Sequence, residues 1–209
     1  MLEEGDTIVS DELNHASIID GCRLAKGTDR IVYKHNDMTD LEKKLQESAK
    51  ERAKGKTMIT TDAVFSMDGD ICKLPEIVEL AEKHDAFIFL DEAHASGVLG
   101  KTGRGTLEHF KAYGKVEVQM GTLSKAIATV GGYIAGSEEL YYYLHRSSRP
   151  FYFSTGFPHP AVCGATLKAL EIIRREPERV LKLWDNTRYF KKELASLGYK
   201  TGVSETPIT

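Results

Sequence analysis

Short runs of β-branched and aromatic residues alternate along this chain with charged, amphipathic segments. The short runs lack an alternating polar face, which is typical of strands covered on both sides in a parallel sheet. Between them, the segment 74–85 carries apolar residues at i, i+3, i+4 and i+7, the spacing of one helix face. The sequence therefore predicts an α/β fold, with a mostly parallel sheet flanked by helices. The predicted strands are 6–10, 30–35, 56–65, 86–90, 116–120 and 133–137.

The pattern changes in the last quarter of the chain. From about residue 158 to residue 197 it is helical, with a break near Glu176-Pro177, and 199–209 resembles the start of a strand. We expect an α/β domain over 1–157 that is incomplete at its N-terminus. Residues 158–209 are expected to form a helical connection towards a small C-terminal domain that is mostly missing. Both ends are thus expected to be truncated within a larger architecture.

Composition excludes several classes of protein. The chain has 28 Lys and Arg against 31 Asp and Glu, a net charge of −3, so no basic field favours nucleic acid. Its apolar runs are far shorter than the roughly 18 residues that a membrane span needs. The three cysteines form no C-x-x-C pair and are interpreted as small buried residues. We expect a cytoplasmic protein that binds neither nucleic acid nor a membrane.

One predicted strand is followed at once by two carboxylates and a histidine, Asp91, Glu92 and His94. The letters D-E-A-H also mark an acid of helicases that bind ATP and magnesium. Such a site needs a G-x-x-x-x-G-K-[ST] phosphate loop. Before the Gly-Lys-Thr triplets of this chain, the position of the leading glycine holds Lys50 or Ala95. The ATPase hypothesis is therefore rejected.

An organic cofactor fits the predicted strand ends better. In parallel α/β sheets, ligands bind beyond the carboxyl ends of the strands. Asp91, Ser66 and Lys125 each follow a different predicted strand, and Thr122 lies just before the lysine. A carboxylate keeps a pyridine nitrogen protonated, a lysine forms a Schiff base with an aldehyde, and a threonine hydroxyl donates to a phosphate. These are the parts of a pyridoxal-phosphate site.

Five blocks of the sequence resemble, in order, the α-oxoamine synthases. These are pyridoxal-phosphate enzymes of fold type I that condense an amino acid with an acyl-CoA. The resemblance implies the large domain of an aspartate-aminotransferase-like fold. The blocks are DELNHASIIDGCRL, TDAVFSMDGD, FLDEAHASGVLGKTGRG, GTLSKAIATVGGYIAGS and SRPFYFST.

The resemblance implies a role for individual residues. Lys125 would carry pyridoxal 5′-phosphate as a covalent Schiff base, and Asp91 would pair with the pyridinium nitrogen. His94 would hydrogen-bond the phenolic oxygen of the cofactor, and His15 would stack on the ring. Ser66 would also touch the cofactor. Lys125, His15, Asp91 and His94 form the implied catalytic set.

The cofactor phosphate and the second subunit involve further residues. Thr122 would bind the phosphate, and Ser154 and Thr155 would reach the phosphate of the other subunit, because family active sites lie at a homodimer interface. Structural alternatives stay open: His15 could cap a helix and Ser66 could be a turn residue. No metal is expected, since no histidines or acids have the spacing of metal ligands.

The resemblance favours a substrate pair without fixing it. It favours glycine with acetyl-CoA, the reaction of the glycine C-acetyltransferase branch, giving an α-amino ketone or keto acid and CoA. The alternative is alanine with pimeloyl-CoA, the biotin-pathway reaction of the 8-amino-7-oxononanoate synthase branch. A hypothesis of another class is a catalytically incomplete unit that only binds cofactor or dimerises, because full-length members of the family are much longer.

Overall fold

A computed structural model of the chain describes residues 1–51, 55–153 and 158–209. The strands are β1 Thr7–Asp11, β2 Asp29–Tyr33, β3 Thr57–Asp62, β4 Ala86–Asp91, β5 Val118–Thr122 and β6 Gly132–Gly136. The helices are α1 Ala16–Leu24, α2 Met38–Glu51, α3 Leu74–Lys83, α4 Thr106–Phe110, α5 Glu138–Ser147, α6 Arg149–Tyr152, α7 Pro160–Arg175 and α8 Glu178–Ser196.

The strands form one sheet in the order β2-β1-β3-β4-β5-β6. Every pairing is parallel except that of β5 with β6, which is antiparallel. The predicted fold class is confirmed. Predicted strand ends differ by a few residues, because β3 stops at Asp62 and β5 runs on through Gly121 and Thr122 to pair with β6.

Helices cover both faces of the sheet. Neighbouring strand residues point to opposite faces, so Val9 and Ile59 join one hydrophobic cluster while Ile8 and Met58 join the other. The larger cluster contains the apolar stripes of α2 and α3, and α1 packs on the smaller one. The buried stripe predicted for α3 is confirmed, with Leu74, Ile77, Val78 and Ala81 all buried. This two-sided burial explains why the strand sequences lack alternation.

The last helices follow the prediction more closely than the last residues do. The break near Glu176-Pro177 separates α7 from α8, and the Trp184 indole of α8 donates to the Val98 carbonyl (2.9 Å). The strand predicted for 199–209 is wrong. That stretch is a loop with one turn and one bend, and the Glu205 amide (3.1 Å) and the Thr206 hydroxyl (2.8 Å) both donate to the Gly69 carbonyl. Its polar backbone is thus held by a loop and not by a sheet.

The expectations for the cysteines, for membrane-spanning helices and for the domain boundary can be compared with the structure. Cys22 and Cys72 are buried as expected, but Cys163 is exposed on α7, because this helix has no buried residue. Within the described ranges, no helix is long and apolar enough to cross a membrane. The boundary predicted between 157 and 158 adjoins residues 154–157, which are outside the described residues, so the domain division stays a prediction.

Candidate active site

The carboxyl ends of the central parallel strands meet at one edge of the sheet. In the register of β3, β4 and β5, Asp62 lies beside Asp91, and Asp91 lies beside Met120. The loops that follow these strands carry Ser66, His94 and Lys125. The structure thus brings three predicted site loops to one edge, as the sequence predicts.

Asp91 is a buried acid at the end of β4. It is 3% exposed, and its Oδ1 accepts a hydrogen bond from the Ala93 amide (2.8 Å). Burial raises the pKa of Asp91, while the Ala93 amide and the positive charges of Lys125 and His15 oppose this shift. Asp91 also lines a largely apolar cavity of about 400 Å³. A carboxylate in such surroundings suits a cationic ring nitrogen.

His15 is the last residue before α1 and caps this helix. Its Nδ1 accepts from the Ser17 amide (3.2 Å), so a neutral ring carries its proton on Nε2. The structural alternative for His15, a helix cap, is therefore correct. It leaves the exposed ring of His15 able to contact a ligand.

The backbone around His15 is held by two residues that sequence reasoning missed. Asp62 Oδ2 accepts from the His15 amide (2.6 Å), and Asn14 Oδ1 accepts from the Asp62 amide (2.8 Å). The Asn14 amide group also donates to the Thr60 carbonyl (2.8 Å) and to Ser10 Oγ (2.9 Å), which ties β1 to β3. Asp62 ends β3 just as Asp91 ends β4, but the predicted strand 56–65 places Asp62 inside a strand and not at its end.

Asp62 holds a proton at unusually high pH for an acid. Burial is the main cause that raises the pKa of Asp62 to about 7, and the nearby charges of Asp91 and Asp11 add to this shift. The hydrogen bond from the His15 amide and the positive charge of Lys125 oppose it. The charge of Lys125 therefore acts on both Asp62 and Asp91. An acid that titrates near neutral pH next to the predicted catalytic lysine is a further candidate site residue.

His94 and Lys125 lie on loops that touch each other. A Cβ added to Gly97, which has a φ of +81°, would lie 2.5 Å from the Ala126 Cβ. Glycine therefore permits the close approach of the loop after β4 to the loop after β5. Burial lowers the pKa of the half-buried His94, and the positive charges of Lys125 and His15 lower it further.

The predicted residues that remain are the hydroxyl side chains, which lie in different segments of the chain. Thr122 ends β5, and its Oγ1 lies 2.9 Å from Ser124 Oγ, beside the exposed Lys125. Ser66 lies in the turn after β3, where the Gly69 amide donates to the Phe65 carbonyl (2.8 Å). Ser154 and Thr155 are outside the described residues. In the part of the chain that the structure describes, no group of three or more His, Cys, Asp or Glu could hold a metal ion.

Glu92, the neighbour of Asp91, has a structural role at the start of α4. It is 3% exposed, and its carboxylate accepts from the Thr106 amide (3.0 Å) and hydroxyl (3.1 Å) at the start of α4. Of the two neighbouring acids, only Asp91 thus lines the cavity at the strand ends.

Replacing Glu92 with alanine is expected to lower the free energy of unfolding by about 2 kcal/mol, because two buried donors lose a charged acceptor. Urea denaturation measures this loss. Glu79→Ala, which removes an exposed acid from α3, serves as the control and should change stability little. Equal effects of the two variants would contradict the structural role of Glu92.

Taken together, the fold and the site define a class of protein. A mostly parallel sheet that ends in a buried aspartate, with a lysine after the next strand, fits the pyridoxal-phosphate enzymes of fold type I. The family model described as aminotransferase class I and II matches residues 1–209. The chain belongs to this family, and within it to the α-oxoamine synthases.

Curated relatives cover this chain almost completely. An 8-amino-7-oxononanoate synthase of Thermoanaerobacter pseudethanolicus is 56% identical over 209 residues, which are 100% of this chain and 52% of the relative. Seven further relatives, 54–56% identical, are also named 8-amino-7-oxononanoate synthases. The chain spans about half the length of the curated relatives it matches.

Solved structures agree with the fold. Serine palmitoyltransferase of Sphingomonas wittichii matches with a TM-score of 0.90 and 32% identity, over 100% of this chain and 51% of that one. A serine palmitoyltransferase of S. paucimobilis with bound PLP and myriocin matches with a TM-score of 0.88 and 30% identity, over 96% of this chain and 50% of that one. Pyridoxal phosphate is the cofactor that the family and this ligand-bound structure support.

Proposed function

We propose that the chain forms the cofactor-binding part of an enzyme that condenses alanine with pimeloyl-CoA, as an 8-amino-7-oxononanoate synthase. The observation that carries this proposal is the shared name of eight relatives at 54–56% identity over nearly the whole chain. The comparisons thus favour the alternative substrate pair over glycine and acetyl-CoA. The sequence blocks do not separate the two pairs, because they surround the proposed cofactor site, which serves the chemistry common to both branches.

The residues of the site have complementary tasks in this proposal. When bound, pyridoxal phosphate supplies an electron sink for the charge that develops at the α-carbon of the amino acid. Lys125 holds the cofactor covalently and afterwards accepts the α-proton on Nζ. The Asp91 carboxylate accepts a hydrogen bond from the protonated ring nitrogen. The low-dielectric surroundings of Asp91 strengthen that charged contact.

Other side chains would orient the cofactor and the substrates. His15 covers one face of the ring, and its position is supported by the hydrogen bond from its amide to Asp62. His94 donates to the phenolic oxygen, and Ser66 contacts the cofactor from the loop after β3. Thr122 binds the phosphate from the end of β5.

A homodimer with a shared active site stays part of the proposal. Ser154 and Thr155 would bind the cofactor phosphate of the partner subunit. The partners are thus an amino acid, an acyl-CoA and a second copy of the chain.

Substrate choice is tested by the release of CoA. With pyridoxal phosphate present, we expect alanine and pimeloyl-CoA to release thiol at least tenfold faster than glycine and acetyl-CoA, since about 1.4 kcal/mol of differential transition-state binding suffices for that ratio. Thiol release and mass spectrometry of the product measure both reactions. Lys125→Ala is the control and should release none.

Two outcomes would contradict the proposal. Faster release with glycine and acetyl-CoA would restore the first substrate pair. Binding of cofactor without release from either pair would favour the hypothesis that the chain is a catalytically incomplete cofactor-binding unit.

A further inference from the structure

A second polar cluster lies on the loops that lead into the site. His35, on the loop after β2, lies between two aspartates: its Nδ1 is 2.9 Å from Asp11 Oδ1, and its Nε2 is 2.8 Å from Asp70 Oδ2. The side chains are 20%, 1% and 11% exposed, so solvent screens these contacts little. The edge of the His35 ring also meets Phe65, with 4.3 Å between centroids.

The two contacts require a charged ring. A neutral imidazole has a single N–H, so it can donate to only one carboxylate, whereas an imidazolium donates to both. Burial alone would lower the pKa of His35, but hydrogen bonds and charges from Asp11 and Asp70 outweigh it and raise the pKa above its ordinary value. As an imidazolium, His35 can donate to both acids at once.

Asp11 and Asp70 each stabilise a turn that leads to or contains a predicted site residue, Asp11 through its carboxylate and Asp70 through its main-chain carbonyl. Asp11 Oδ1 accepts from the Leu13 amide (2.9 Å), in the turn that leads to His15. The Asp70 carbonyl accepts from the Phe65 amide (3.1 Å), which closes the turn containing Ser66. These turns follow β1 and β3. A bridge from Asp11 to Asp70 thus connects the turn before His15 with the turn that holds Ser66.

Asn36 also connects the two aspartates, through its backbone amide and its side chain. Its amide N–H donates to Asp11 Oδ2 (3.0 Å), and its side-chain Nδ2 donates to Asp70 Oδ2 (2.7 Å). Asp70 Oδ1 is buried and has no hydrogen-bond partner among the described residues. Asp70 Oδ2 thus has two partners, Asn36 and His35, and of these two side chains only the His35 ring can carry a positive charge.

We propose that His35, as an imidazolium bridging Asp11 and Asp70, is a positioning residue that sets His15 and Ser66 relative to each other for cofactor binding. The inference rests on the proposed function, since it assigns His15 and Ser66 to the cofactor. It adds a residue that contacts neither cofactor nor substrate. Loss of the His35 proton removes one of the two bonds and loosens one turn.

Several other titratable groups surround the cluster in the described part of the chain. Tyr33 and Cys72 interact electrostatically with Asp11, and Glu76 and His109 line the surface depression that contains Asp70. Glu12 accepts from the His35 amide (3.1 Å), and Lys73 and Glu205 line a surface depression together with Asn36 and Asp70. The protonated state of His35 is stabilised by its partners, so the bridge is complete below the ordinary histidine pKa of about 6.5. It is lost as the pH rises through the raised pKa of His35.

The first test needs no cofactor. An NMR titration of the chain follows the His35 ring together with the His15 and Ser66 amides. We expect both amides to show a step at the midpoint of His35, and this step to vanish in His35→Gln, whereas a step of the His15 amide that comes from its acceptor Asp62 should remain in the variant. If neither amide responds to the His35 titration in the wild-type chain, the proposal is overturned, whether or not the chain binds pyridoxal phosphate.

The second test measures cofactor affinity against pH. The dissociation constant of pyridoxal phosphate in His35→Gln is expected to be about tenfold higher than in the wild type below the His35 pKa, a typical coupling between two sites. This ratio should fall towards unity above that pKa. The ratio cancels the titration of the cofactor itself. A ratio independent of pH would overturn the proposal.

A matched control excludes a general effect of losing a histidine. His84→Gln removes another partly buried histidine, which caps the C-terminal end of α3. The Nε2 of His84 lies 3.7 Å from Glu42 Oε1 of α2. This variant should change neither the affinity ratio nor the His15 and Ser66 amides. If His84→Gln reproduced the effect of His35→Gln, the positioning role would be excluded.

Discussion

Replacing Lys125 with alanine is expected to abolish covalent capture of pyridoxal phosphate. A Schiff base with the cofactor aldehyde requires a primary amine, and the proposed site offers this amine on the loop after β5. The yellow absorption band that the wild-type chain gives with the cofactor should disappear. After reduction with borohydride, the wild-type label should map to the peptide 121–126, and the variant should carry none.

The control for this result is a lysine on a neighbouring loop. Lys101 is exposed on the loop after β4, and Lys101→Ala should keep both the band and the label. A band that persists in Lys125→Ala would refute the assignment of Lys125. Label spread over many lysines of the wild type would refute it as well.

Replacing Asp91 with asparagine is expected to weaken cofactor binding by about 10- to 100-fold, the cost of losing one hydrogen bond to a charged group. The amide oxygen of asparagine can still accept from the Ala93 amide, so the loop geometry is kept. Titration with pyridoxal phosphate, followed by absorbance, measures the change. The covalent bond to Lys125 should still form at high cofactor concentration.

Asp91→Asn is expected to weaken cofactor binding without lowering the free energy of unfolding. Burial raises the pKa of Asp91 above 3.8, so the folded state binds its proton more tightly than the unfolded state. The free energy of unfolding of the wild type therefore falls as the pH rises from that ordinary value through the raised pKa. Asp91→Asn removes this cost, and urea denaturation at neutral pH should find the variant at least as stable as the wild type.

The pair of measurements separates a binding role from a structural one. If Asp91 served only the fold, its replacement would lower stability and cofactor affinity together. Asp85→Asn is the control, because Asp85 is exposed at a φ of +51°, a conformation that asparagine tolerates well. Loss of affinity in Asp85→Asn as well would show that the assay does not report on the site.

Much of the candidate site could be predicted from single strand ends. Asp91 and Lys125 each follow a buried run of residues, and parallel strands bring such positions to one edge. His15 was assigned by resemblance, and the structure shows that it also caps α1. Asp62 meets the same criterion as Asp91 but was overlooked, because the predicted strand ran on to residue 65 and left the acid inside it.

Other features could not be found along the chain. The strand predicted for 199–209 failed because its polar residues bind the loop at Gly69, a contact between segments 137 residues apart. Local β-propensity is a weak guide where such tertiary contacts satisfy the backbone. The sequence blocks also do not distinguish the two substrate pairs, since both branches share them, and the comparisons favour the alternative pair.

The sequence by itself determined the order of strands and helices, the two-sided burial of the sheet and the family, because periodicity and short motifs are local properties. Only the tertiary structure decided which polar groups meet. His35 bonds to Asp11 and Asp70, 24 and 35 residues away, and His15 bonds to Asp62, 47 residues away. Those partners follow from the strand order and register, which place distant loops side by side at one edge of the sheet.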